Sequence, residues 1–145
     1  MKVKQIPSTK ETLVVEAGFP TCPPELLFDY WVKPDLIRQW WSPEAEIDPR
    51  LDGNYHLIWP QRNWHLRGHY TVFEPGEKLA FTWQWDHYSV QEKVIVSFEP
   101  LEPQGTKMTI VHGPYDDSKQ GQEDRKSHLD GWMHFVSNLQ NLMKN

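Results

Sequence analysis

Pro23-Pro24-Glu25-Leu26-Leu27-Phe28, running on to Trp40-Trp41-Ser42-Pro43, and Gly131-Trp132 near the far end are tryptophan-bearing helix patterns that bracket a long β-rich stretch. Pro23 and Pro24 suit a first helical turn, where their missing N–H groups are not needed. In the helix they open, Leu27 and Trp31 share a face, as do Phe28 and Val32. Lys33 precedes Pro34 and ends it. Pro34 opens a second short helix with Ile37, Trp40 and Trp41 on one side, and Ser42-Pro43 breaks that one.

Upstream, Thr12 to Phe19 reads as a strand with Leu13, Val15, Ala17 and Phe19 on one face. Residues 1–10 are polar and unpatterned, and a flexible N-terminus is expected there. Downstream, Ala45-Glu46-Ile47 is a weak strand leading to the turn signal Asp52-Gly53. The next strand turns Tyr55, Leu57 and Trp59 to one side and His56 and Ile58 to the other. His65, Arg67, His69 and Thr71 then alternate with Leu66, Gly68, Tyr70 and Val72, polar outside and apolar inside. Leu79, Phe81, Trp83 and Trp85 form another inward row, followed by Val94, Val96 and Phe98 and then by Met108 and Ile110. Short connections join these strands, so an antiparallel meander is the expected topology. From Trp132 onward, Phe135, Val136, Leu139, Leu142 and Met143 follow helical spacing and must lie along the inner face of the sheet. The fold class is α+β: a curved antiparallel sheet wrapped around a long C-terminal helix, with two short helices after the first strand. Sheet and helix leave a space between them that can hold a ligand.

At 145 residues the chain is read as one domain, residues 1–145, large enough to bury roughly 68–70% of its unfolded surface. A net charge of -5 argues against nucleic acid or anionic membrane as partner. No stretch is apolar enough to span a bilayer, the N-terminus lacks the apolar core of a signal peptide, and a lone Cys22 forms no internal disulfide. A cytoplasmic location is expected. Aromatics make up 13% of residues, with 8 Trp. Such rings build a small core from large pieces, and some of them are expected to line a cavity.

The order of elements matches the helix-grip fold of the START-like (SRPBCC) superfamily. More narrowly, the chain resembles the family of activators of heat-shock protein 90 ATPase, in their C-terminal-type domain. Pro23 to Phe28, then Pro34-Asp35-Leu36 to Trp40-Trp41, is similar to that family's helix pair ending in a double tryptophan. Gly53-Asn54-Tyr55, Leu79-Ala80-Phe81-Thr82-Trp83, Gly105-Thr106-Lys107-Met108-Thr109 and Gly131-Trp132 resemble its remaining signatures, from about Leu13 to Leu142. Asp52 stands where a second glycine is usual, and Gly68-His69 lacks the acidic residue often found there. The resemblance implies a ligand space between sheet and helix, and a chaperone as partner. It also implies cyclase- or dehydratase-type chemistry in relatives on the fold.

The residues themselves favour binding over catalysis. His65 and His69 share a face but stand roughly 13 Å apart along one strand, too far for one metal ion. No other spacing among the seven histidines suggests ligands, so no metal and no cofactor is expected. Cys22 is read as a small residue at a helix start, and no nucleophile elbow or phosphate loop is present. The expected cavity residues are Tyr55, Trp59, Tyr70, Trp83, Trp85, Trp132 and Phe135, with His56 and His112 on strands whose facing is open. Trp40 and Trp41 are read as anchors of the helix pair. The leading expectation is therefore non-enzymatic binding of a small apolar or aromatic molecule. A chaperone-regulator interaction is the alternative. A cyclase or dehydratase is a further one, which needs His56 or His112 facing the cavity.

Overall fold

The structure is a computed structural model that describes residues 2–144. Its elements run β1 (Lys4–Ile6), β2 (Leu13–Phe19), α1 (Pro24–Val32), α2 (Pro34–Ile37), β3 (Glu44–Ile47), β4 (Asn54–Trp59), a 3-10 turn at Pro60–Arg62, β5 (Trp64–Glu74), β6 (Lys78–Trp85), β7 (Glu92–Leu101), β8 (Gly105–Gly113) and α3 (Lys119–Leu142). One eight-stranded antiparallel sheet has the order β1-β2-β8-β7-β6-β5-β4-β3. The six strands β3 to β8 meander. β2 then pairs with β8, placing Leu13 opposite His112 and Phe19 opposite Thr106. No helix of the described residues is long and apolar enough to cross a membrane.

The inward rows fall where strand alternation puts them, with two differences. Lys4–Ile6 pairs with β2 and Val3 is buried, so part of the segment read as flexible forms an edge strand. In β5 the register shifts between Tyr70 and Val72. This bulge swaps the faces beyond it. Phe73, not Val72, is paired with inward Leu79, and its ring meets Phe28 at 5.3 Å and Tyr70 at 5.4 Å. Asp52 adopts a left-handed φ of 64°, a conformation that explains a glycine preference at such a site. Gly68 is needed for space, because a Cβ there would lie 2.1 Å from the Thr82 carbonyl oxygen and 2.6 Å from the Tyr55 ring.

α1 buries Leu27, Phe28, Trp31 and Val32 against the sheet. Trp31 is the hub of the aromatic core, its ring 4.9 Å from Trp40, 5.4 Å from Trp41 and 5.7 Å from Trp132. The Ser118 hydroxyl caps α3 by accepting from the Gly121 N–H. Trp132, Val136 and Leu139 are the buried stripe of α3. Its last turns are tied down by Gln140 Nε2 donating to the Gly18 carbonyl at 2.8 Å and by the Thr21 hydroxyl donating to the Met143 carbonyl.

Candidate functional site

A cavity of about 320 Å³ lies between the sheet and the middle of α3. Its walls are Trp59 from β4, Trp64 from the start of β5, Trp83 and Trp85 from β6, Trp132 and Phe135 from α3, and Trp41 from the segment after α2. Alternation on β4 and β6 turns the strand residues inward, and the three-residue step from Trp132 to Phe135 places both on one side of α3. The rings meet at steep angles: Trp59 with Trp85 at 50°, Trp64 with Trp85 at 66°, Trp83 with Trp85 at 89°. Inclined rings enclose space that stacked rings would fill. His87, Tyr88, Asp124, Ser127 and His128 complete the lining.

Behind one wall sits a buried polar network. Glu92, at 3% exposure, and fully buried His112 face inward beside Trp83 and Trp132. The Trp132 indole N–H donates to His112 Nδ1 at 3.0 Å, which leaves the proton of the neutral ring on Nε2, donating to Glu92 Oε1 at 3.1 Å. His128 stacks on His112 with centroids 4.6 Å apart. Its Nδ1 lies 2.7 Å from the Tyr115 hydroxyl and 3.6 Å from Glu92 Oε1, and its Nε2 accepts from the Trp85 indole at 3.5 Å. Burial lowers His112 to about 3. Burial, then the neighbouring His112, lowers His128 to about 4. Burial raises Glu92 to about 7, with Asp124 pushing the same way and His128 opposing. Both imidazoles are therefore neutral at physiological pH while Glu92 is poised between its two forms.

Ligand atoms of Glu92, His112 and His128 lie within 4.8 Å of one another, close enough for a metal ion. The spacing of the histidines in sequence did not suggest this cluster. The hydrogen-bond pattern opposes a metal there. To ligate through Nε2, His112 would have to carry its proton on Nδ1, and that nitrogen already receives the Trp132 N–H.

Of the residues expected from sequence, Trp59, Trp83, Trp85, Trp132 and Phe135 converge on this cavity. Tyr55 and Tyr70 lie elsewhere, in closed core around a void of about 10 Å³ beneath Trp31 and Phe81. The Tyr55 hydroxyl is engaged, donating to the Thr82 carbonyl at 2.6 Å. His56 points to the outer face, where its Nε2 is 2.8 Å from His65 Nδ1 and its Nδ1 is 3.1 Å from Glu46. His112 is inside but walled off by Trp83 and Trp132, so neither of the two histidines lines the cavity. The wider outer groove beside His56, about 730 Å³, is lined mostly by polar side chains such as Glu46, Arg67, His69 and Asp86, with Ile47, Tyr55 and Trp85 among them. Sequence reasoning missed Glu92, His128 and Asp124. Glu92 has the parity of Val94 and Val96, and His128 precedes Trp132 by one helical turn, so both were on inward rows.

The family model described as Activator of Hsp90 ATPase homolog 1-like protein matches residues 21–144. The chain belongs to this family. Among solved structures, a Mesorhizobium loti protein has a TM-score of 0.79 at 22% identity, covering 91% of this chain and 96% of its own. A Rhodobacter sphaeroides protein has a TM-score of 0.82 at 16% identity, covering 99% and 98%. A protein described as an HSP90 activator from Plasmodium falciparum has a TM-score of 0.74 at 20% identity, covering 92% and 96%. At these identities the likeness shows a shared fold. Curated proteins give no significant match.

Proposed function

We propose that this domain binds a small apolar or aromatic molecule in the cavity between the sheet and α3, without transforming it. The observation that carries the reading is the convergence of Trp59, Trp64, Trp85, Trp132 and Phe135 on one volume. At about 320 Å³ that volume matches the lower end of small-molecule sites. Burying ~200 Å² of apolar guest surface there contributes roughly 5 kcal/mol before the cost of association. His56 on the outer face and His112 behind the wall remove the two histidines on which the cyclase or dehydratase alternative was based.

A thermal-shift screen against small aromatic and apolar molecules tests this. A ligand at about 100 times its dissociation constant adds ~2.7 kcal/mol, roughly 5–10 °C here. Trp85→Ala should abolish the shift and Tyr55→Phe should preserve it. A flat response across the library, or a shift indifferent to Trp85, overturns the reading.

Family membership and the Plasmodium falciparum neighbour favour a second reading, regulation of a chaperone. It requires saturable binding to an Hsp90-type chaperone and faster ATP turnover by it. Absence of both ends that alternative.

A further inference from the structure

We propose that the occupant of this cavity is an organic cation, an alkyl- or aryl-ammonium held between tryptophan faces and balanced by Asp124. The inference rests on the cavity being a binding site and names the chemical class it takes. The face of an indole carries the negative end of a quadrupole and is the best aromatic partner for a cation. Trp59, Trp85 and Trp132 surround the space, and Trp64, 41% exposed, stands at its edge. The molecule already uses this chemistry there, with the Arg62 guanidinium 5.0 Å from the Trp64 ring centre.

The carboxylate in the cavity lining has no Lys or Arg among the described lining residues to offset it, and Arg62 is engaged on the Trp64 ring at the edge. Asp124 is in the lining, and Gln120 Nε2 and the Tyr88 hydroxyl both donate to its Oδ1, at 2.9 and 3.4 Å. Its Oδ2 accepts no hydrogen bond from a described residue. Glu92 stands behind His128 as a second carboxyl. Among the described lining residues there is no Lys or Arg, and the lining His128 is held neutral by burial. A carboxylate guest such as a fatty acid would be buried without a cationic partner and beside Asp124, which costs several kcal/mol. A neutral hydrocarbon would leave the Asp124 carboxylate unused in a partly desolvated site. A quaternary or tertiary ammonium satisfies both the rings and the carboxylate.

The test is a titration of intrinsic tryptophan fluorescence, repeated by calorimetry at low salt, with three probes of like shape. These are 3-hydroxyphenyltrimethylammonium, its neutral isostere 3-tert-butylphenol, and the anion 3-hydroxybenzoate. The cation should bind about tenfold or more tightly than the isostere, and the anion weakest. Asp124→Asn, which keeps the side-chain shape, should shrink the cation's advantage and leave the isostere unchanged. Equal or tighter binding of 3-tert-butylphenol, or a cation preference unmoved in Asp124→Asn, overturns this inference and leaves the cavity reading standing. Failure of all three probes, with Trp85→Ala also silent, removes both.

Discussion

Glu92→Gln should double the steepness with which acid destabilises the fold. His112 and His128 stay neutral in the folded chain down to about 3 and about 4, against an ordinary value of 6.5 when unfolded. Their folded values are lowered, so below 6.5 the unfolded chain binds more protons and stability falls with pH. Glu92 acts in the opposite sense. Its folded value of about 7 lies above the ordinary 4.5, so between these the folded chain holds the extra proton and acid stabilises it. Midway through the window, unfolding takes up about two protons on the imidazoles and releases about one from the carboxyl. One proton is worth about 1.4 kcal/mol per pH unit. The natural chain should therefore lose about 1.4 kcal/mol per unit, and Glu92→Gln, which still accepts from His112 Nε2, about 2.7 kcal/mol per unit. Urea unfolding of both proteins in half-unit steps from about pH 6.5 to 5 measures the two slopes. Equal slopes, or a natural chain that gains stability on acidification, would refute the charge states assigned to the network.

Three further substitutions probe its surroundings. Gly68→Ala forces a Cβ to within 2.1 Å of the Thr82 oxygen and should cost at least about 1–3 kcal/mol; an unchanged urea midpoint would contradict that close approach. Tyr55→Phe removes the donor to the buried Thr82 carbonyl and should cost about 1–3 kcal/mol, without altering any ligand-induced thermal shift. Trp132→Phe leaves His112 Nδ1 without its donor, so nitrogen-15 shifts of that ring should move from one tautomer toward a mixture. A ring that keeps its proton on Nε2 in Trp132→Phe would show that something else fixes it.

The fold was legible because its signals are local. Two proline-initiated helices, strict alternation through β4 to β8 and a helical stripe from Trp132 leave little choice of architecture. The bulge in β5 was not legible, because Val72 and Phe73 are both apolar and either continues the row. β1 was missed because three residues are too few for a period to declare itself. In the cavity, parity gave the facing of Trp59, Trp83 and Trp85 correctly, yet the same parity includes Tyr55 and Tyr70. What separates these groups is where α1 lies: Trp31 fills the space over the tyrosines, and no local pattern reports that. Glu92 and His128 are a different failure. They sit on rows that were read, but apolar periodicity was followed only through apolar residues, and both rows change to polar side chains at the cavity end.

That change of character explains why the cavity is where it is. From Lys119 to Gly131 no residue of α3 is buried, and the buried stripe begins only at Trp132. An apolar first half would collapse onto the sheet and close the space, since nothing else would remove its surface from water. Long polar side chains hold this half of the helix instead. Arg125 donates from Nε and Nη2 to the Thr12 carbonyl at 3.2 and 3.0 Å, and Gln122 Nε2 donates to the Lys10 carbonyl at 3.0 Å. Nearer the sheet, His128 spans the gap to Tyr115 and Glu92. Hydrogen bonds fix a separation where apolar packing would minimise it, so these contacts act as spacers while Val136 and Leu139 supply the anchorage. The tryptophans lie at the transition between the two regimes, packed against the core and lining the volume that the polar half keeps apart. A shape set this way does not depend on an occupant, and that is the condition for binding a small guest without refolding around it.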